Sequence, residues 1–165
     1  MEKENREKRR NTLRSIVRGG VIAAIYVGVT YILAPISFGQ LQFRVAEALT
    51  VLPILYPEAV PALFIGCLLS NLFGPYGILD IIIGSFTTLL AAVLTRIFRK
   101  SIIAYFWPIV LNAFIVSAYL SLLVETSVSY WIFVVSIGVS EAVSVLLLGV
   151  PLIKFLENTY ANRIS

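Results

Sequence analysis

Residues 41–73 read LQFRVAEALTVLPILYPEAVPALFIGCLLSNLF. The stretch is apolar almost throughout, and Pro53, Pro57 and Pro61 break its middle. A helix crosses the hydrocarbon core of a bilayer in about 20 residues, so a single crossing does not use up this length. Proline lacks the amide donor a helix interior needs, and a cluster of prolines marks a tight turn. The stretch therefore predicts two short helices, either crossing fully or forming a broken, re-entrant pair. Which of these holds sets the number of crossings for the whole chain.

Further apolar runs lie at 17–35, 77–95, 102–124 and 130–156, each about long enough to span; within 41–73 the runs are 45–57 and 59–73. Hydrophobic residues make up 59% of the 165 and charged residues 13%, with a mean hydropathy of +0.92. Soluble domains are roughly 45–50% apolar and about 25% charged, so this chain cannot cover its surface with polar groups in water. Lipid is the solvent that accepts it, and one domain is expected at this length.

Positive charge decides between one crossing and two in 41–73. Lys3 to Arg18 precede the first run, Arg96, Arg99 and Lys100 lie between the fourth and fifth, and Lys154 and Arg163 lie at and after the end of the sixth. With two crossings all three clusters share one side, which the positive-inside rule makes cytoplasmic. With one, the Arg96–Lys100 cluster would be outside. The outer loops near 35–41, 73–77 and 124–130 contain no Lys or Arg. The expectation is an all-α integral membrane protein with six transmembrane helices and both termini cytoplasmic. It comprises a charged N-terminal segment (1–16), a single six-helix membrane domain (17–157) and a cytoplasmic tail (158–165). MEKENREKRR (1–10) is followed by no small-residue cleavage pattern and reads as a cytoplasmic tail rather than a cleaved signal. Tyr130 and Trp131 are placed at the outer interface and Trp107 nearer the inner one, as an aromatic belt requires.

The net charge of +4 does not point to nucleic acid, because the basic residues sit at helix ends where orientation explains them. One cysteine (Cys67) and no histidine leave no intrachain disulfide and no Cys/His metal site. The commonest general base is absent too, which argues against an enzyme, and neither a cofactor nor a metal is expected.

The informative residues are those that do not belong in lipid. Arg44 is the one basic residue away from the cytoplasmic ends; Glu47, Asp80 and Glu141 are the acidic ones. Asn71, Asn112, Gln40 and Gln42 add neutral polar groups. A charge inside a membrane costs roughly 2.5–3.5 kcal/mol on insertion scales, so such groups face the protein interior or a wet cavity. All fall in the outer half or at the midplane, where they could line one outward-open cavity. Internal satisfaction is the alternative: Arg44 and Glu47 are spaced to face each other on one helix, Asp80 is placed to cap the fourth span, and Asn112 to bond across helices. Three carboxylates against one guanidinium leave two unneutralised, so a ligand there would be cationic or rich in N–H donors. Phe43, Phe73 and Tyr76 lie at the same level and could stack on a flat ring. On the first span, Gly20, Ala24 and Gly28 recur every four residues and form a small-residue stripe that lets a helix approach closely, from this chain or from a partner.

FGQLQFRVAEALTVLP (38–53), PALFIGCLLSN (61–71), GPYGILDIIIGSFTTLLAA (74–92), NAF (112–114) and GVSEAVSVLLLGVPL (138–152) together resemble the QueT family, over roughly 20–157. These are substrate-binding S components of energy-coupling factor (ECF) transporters associated with queuosine precursors. The resemblance implies a multi-pass subunit of the bacterial cell membrane that captures a 7-deazaguanine, such as queuine or its aminomethyl precursor, outside the cell. It implies as partners a transmembrane coupling protein and two ATPase subunits, and no phosphate loop of the form G-x-x-x-x-G-K-[ST] occurs in this chain. It places docking of the coupling protein at an alanine-x-x-x-alanine pattern, where this chain has Ala24-x-x-x-Gly28. The competing function is an ion-coupled secondary carrier for a small cationic or donor-rich metabolite, with Glu47, Asp80 or Glu141 titrating.

Overall fold

The charged N-terminus runs into the first apolar segment without a break, giving α1 (Glu2–Ile32). A computed structural model describes residues 1–38, 43–123 and 129–161. Gln40, Gln42 and Arg163 lie outside the described residues. Among those described, every regular element is helical. After α1 come a 3-10 helix (Val45–Ile54), α2 (Ala59–Leu72), α3 (Gly77–Ile97), α4 (Ile102–Leu123) and α5 (Tyr130–Thr159). Four of these, α1, α3, α4 and α5, are long and apolar enough to cross a membrane. At about 1.5 Å per residue even α3, the shortest, is about 30 Å long, the thickness of the hydrocarbon core. The 3-10 helix has 10 residues and α2 has 14. At about 2.0 and about 1.5 Å per residue, each reaches only about 20 Å.

Contacts fix the direction of each segment. Arg18 meets Glu58 and Tyr31 reaches the Leu69 and Ser70 carbonyls, so α1 and α2 run parallel. Tyr26 meets Glu47 and Arg18 stacks over Tyr56, so the 3-10 helix runs back between them. Asn71 meets Asp80 and Thr88 meets Cys67, making α2 and α3 antiparallel. Thr95 bonds Ala104 across the next turn, and the close approach of Gly138 to Ala113 places α5 alongside α4. The break inside 41–73 falls at residues 55–58, where the proline cluster puts it.

The 3-10 helix is the centre of the bundle. Ala46, Glu47, Ala48, Thr50, Val51, Leu52 and Pro53 are all buried. Glycines let the helices close up: a Cβ at Gly149 of α5 would lie 3.0 Å from the Ala48 carbonyl of the 3-10 helix, and one at Gly66 of α2 would lie 3.0 Å from Tyr26 Cβ of α1. Its C-terminal carbonyls have no helical partner, and Arg96 Nη1 supplies one, donating to Pro53 O (3.0 Å) and Ile54 O (3.1 Å). The buried faces of α2 and α3 are small or hydroxylated, with Ala62, Gly66, Ser70, Thr88, Ala91 and Thr95 among them. Large apolar residues such as Ile65, Phe86, Ile132 and Leu147 point outward. Small residues inside and branched or aromatic ones outside are the pattern of helices packed in lipid, where close approach rather than water exclusion holds them together.

Two ends of the bundle differ in charge. Arg18, Glu58, Tyr56 and Arg96 gather at one, with Arg99 and Lys100 following α3. Trp107 packs on Phe98 there, ring centroids 5.5 Å apart. The described residues at the opposite end are aromatic: Tyr31 meets Phe73 edge-on, Tyr76 Oη donates to Phe38 O at 2.9 Å, and Tyr130 contacts Trp131.

Candidate functional site

Arg44 immediately precedes the 3-10 helix, and its backbone is extended (φ −92°, ψ 95°). That geometry turns its side chain off the helix and across to α3, where Nη2 lies 3.2 Å from Asp80 Oδ2. Ser144 of α5 donates to the Arg44 carbonyl at 3.1 Å and fixes the backbone, and the guanidinium carbon sits 5.5 Å from the Phe38 ring centre. Asp80 also accepts a hydrogen bond from the Tyr119 hydroxyl of α4, and its backbone carbonyl accepts one from Asn71 Nδ2 at 2.9 Å. The knot is tight enough that a Cβ on Gly84 would come within 2.9 Å of both Asn71 Nδ2 and Asp80 Oδ1.

Two of the expected pairings are thereby corrected. Arg44 does not pair with Glu47, because an extended residue outside the helix does not follow the helical repeat. Asp80 does not cap α3: it lies three residues inside and makes no capping bond, because Arg44 and Tyr119 claim its carboxylate.

Glu47 instead accepts the Tyr26 hydroxyl of α1 on Oε1, while its Oε2 is unpartnered. Glu141 is buried on α5, one turn before the Ser144 that binds the Arg44 carbonyl, and its Oε2 is also unpartnered. Arg44 Nε, Asn71 Oδ1 and Asn112 Nδ2 complete the set. Among the described residues, every buried charged or amide side chain with an unpartnered polar atom is one of these five. Arg44, Glu47, Asn71, Asp80, Asn112 and Glu141 are each at most 8% exposed. An unsatisfied buried polar atom costs roughly 1–3 kcal/mol, and native structures keep few of them. Three acceptors and two donors are thus left open among residues drawn from α2, α4, α5 and the start of the 3-10 helix.

Local helix geometry helps to hold them there. Each of α3, α4 and α5 contains a π-helical segment: Asp80–Gly84, Asn112–Val116 and Val143–Gly149. Asp80 and Asn112 open theirs, and Glu141 lies two residues before the third. A π turn inserts a residue into the ladder, turns the following side chains to a new direction, and recurs at functional sites.

The remaining expected residues separate. Tyr76 and Phe43 are half-buried near the aromatic end; Tyr76 reaches Phe38 O, and the Phe43 amide donates to Ile36 O at 3.2 Å. Phe73 is mostly exposed. The ring that lies against Arg44 is Phe38, which the sequence reading passed over together with Tyr26, Tyr119 and Ser144. For the two tyrosines a signal existed, since a buried phenol needs a partner for its hydroxyl. Gly20 and Ala24 are exposed on α1, and a Cβ at Gly20 or Gly28 would meet nothing within 4 Å, so the stripe faces away from this chain. It is the neighbouring Gly19 that packs inward, on Glu58 and Ala62.

A family model described as the QueT transporter matches residues 16–158. The queuosine precursor transporter QueT of Lactococcus lactis subsp. cremoris (strain MG1363) is 36% identical over 103 residues, a stretch covering 59% of this chain and 59% of that relative. No solved structure matches.

Proposed function

The chain belongs to the QueT transporter family, and from that premise we propose that it is the substrate-capturing subunit of an ATP-driven importer, binding a queuosine precursor of the 7-deazaguanine class from outside the cell. The observation that carries the reading is the set of unpartnered donors and acceptors on Arg44, Glu47, Asn71, Asn112 and Glu141, buried together in a multi-pass membrane bundle. A 7-deazaguanine offers a flat ring with a carbonyl, ring N–H groups and an exocyclic amine. Carboxylates at Glu47 and Glu141 accept from its N–H groups, and Arg44 Nε or Asn112 Nδ2 donates to its carbonyl. Asp80 acts by holding Arg44 and Asn71 in place, and Phe43 and Tyr76 flank the entrance as stacking surfaces.

In this reading all six segments cross the bilayer, with both termini inside. The alternating directions of the segments and the collection of Arg18, Arg96, Arg99 and Lys100 toward one end support it. The short 3-10 helix is then enclosed by its neighbours, while α2 turns Ile65, Leu69 and Leu72 outward to lipid. Residues 1–16 lie in the cytoplasm, 17–157 form the membrane domain, and 158–165 are the cytoplasmic tail.

The partners in this reading are a transmembrane coupling protein and two ATPase subunits, with docking through Gly20, Ala24 and Gly28. What supports it is that the stripe is open, and that it borders a crease of about 320 Å³ between α1 and α2 lined by Gly19, Gly20, Ala23, Ala62 and Ile65. Ala24→Trp is expected to abolish co-purification of the coupling protein while the isolated chain still binds ligand, because Ala24 faces away from the site. Retained co-purification would place docking elsewhere. The secondary-carrier alternative rests on the same two unpaired carboxylates. Vesicles containing only this chain discriminate: they are expected to show no uptake of a queuosine precursor until the coupling protein, ATPases and ATP are supplied. Uptake by the chain alone would favour the carrier.

A further inference from the structure

The first half of α1 carries charge that the bundle does not use. Residues 8–18 hold Lys8, Arg9, Arg10, Arg14 and Arg18 and no acid, while Glu2, Glu4 and Glu7 all precede them. Arg6 meets Glu2 and Arg18 meets Glu58. The side chains of Lys8, Arg9, Arg10 and Arg14 have no acidic partner among the described residues. Every residue from Met1 to Arg14 is exposed, so this part of the helix stands clear of the bundle. Its depth follows from the apolar residues next to it. Leu13, Ile16 and Val17 are exposed too, and the 20 residues from Leu13 to Ile32 make about 30 Å of helix, the thickness of the hydrocarbon core. Lys8, Arg9 and Arg10 then lie about 5–8 Å beyond the edge of the core, within the headgroup layer. Arg14 reaches the same layer by extending its long side chain.

We propose that Lys8, Arg9, Arg10 and Arg14 form a collar on α1 that binds the headgroups of anionic phospholipids. Successive residues of an α-helix point about 100° apart, so Lys8, Arg9 and Arg10 face three different directions, with Arg14 near the Arg10 side. An acidic protein surface would meet one side of the helix and leave the other cations in water. Headgroups surround the helix at this level and meet all four. Three of the four are arginine, whose guanidinium pairs two hydrogen bonds with a phosphate in addition to its charge. A zwitterionic lipid carries its own cation beside the phosphate, so the collar favours lipids with net negative charge.

The test is energy transfer from a donor dye on Asn11→Cys of the full-length chain, reconstituted in mixed vesicles of phosphatidylglycerol and phosphatidylcholine. The acceptor is acyl-chain-labelled phosphatidylglycerol in one sample and acyl-chain-labelled phosphatidylcholine in the other. Position 11 lies among the four cations, and the native Cys67 is buried away from the dye. Phosphatidylglycerol is expected to be enriched near position 11 by at least about fivefold, the effect of one basic residue at an anionic surface. Lys8→Gln, Arg9→Gln, Arg10→Gln and Arg14→Gln together are expected to make the two lipids equal. Arg99→Gln with Lys100→Gln, which removes charge elsewhere at the same end of the bundle, is expected to leave the enrichment in place. Equal transfer to both lipids with the collar intact overturns the proposal and leaves the cations to an acidic protein surface; this comparison needs none of the charge variants to fold. Enrichment that survives the four substitutions, or that disappears with Arg99→Gln and Lys100→Gln alone, overturns the assignment to the collar.

Discussion

Asp80→Ala is expected to destabilise the folded protein by about 3–5 kcal/mol, the range for removing one partner of a buried ion pair. The size follows from what the carboxylate holds. It is fully buried, it is the counter-ion of Arg44, and it accepts the Tyr119 hydroxyl. Alanine leaves a guanidinium without compensation inside an apolar bundle and orphans a phenol as well. Thermal unfolding in detergent checks this, as a fall in apparent melting temperature of several degrees. Arg44→Met combined with Asp80→Leu is expected to recover much of the loss, since replacing both members of a buried pair with apolar groups is often neutral. An unchanged melting temperature in Asp80→Ala would mean that the Arg44–Asp80 contact does not organise the fold.

Glu141→Ala and Glu47→Ala are expected to act on binding. Each removes an open acceptor with its charge, and a hydrogen bond to a charged group is worth roughly 1.5–3 kcal/mol, or about tenfold or more in affinity. Neither carboxylate is tied to Arg44 by a hydrogen bond, so the stability loss is expected to be smaller than for Asp80→Ala. Tyr26→Phe separates the two roles of Glu47: it deletes the donor on Oε1 and leaves Oε2 available. Titration with a queuosine precursor reads both effects. Unchanged affinity in both alanine variants would remove Glu47 and Glu141 from the site.

The comparison of sequence with structure shows which physical rules carry across. The apolar runs at 77–95 and 102–124 correspond to α3 and α4, and the prolines at 53, 57 and 61 bracket the turn at 55–58, because chain length against bilayer thickness and the missing proline amide are local facts. Burial of Arg44, Glu47, Asn71, Asp80, Asn112 and Glu141 was legible for an equally simple reason: charges and amides within an apolar chain must leave the lipid. Their pairing was not. Spacing along the chain suggested Arg44 with Glu47, but the extended backbone at residue 44 and the packing of α3 beside it give Arg44 to Asp80. That the segment after Arg44 is a 3-10 helix, with Gly149 packed closely on Ala48 and Val51, has no signal in the spacing of its residues. The π segments in α3, α4 and α5 carry no composition cue of their own. Tyr26 and Tyr119 read as ordinary aromatics of apolar runs until their hydroxyls were seen on Glu47 and Asp80.

The original count of three acids against one base is also refined. Asp80 belongs to the scaffold, and Glu47 and Glu141 are the acids left open. The most direct measurement is therefore equilibrium titration of the purified, monodisperse chain with queuine and with its aminomethyl precursor. Saturable binding of at least one of them, at one ligand per chain and lost on substitution of Glu141, is the predicted result. A folded chain that binds neither would contradict the claim that this buried polar cluster is a capture site.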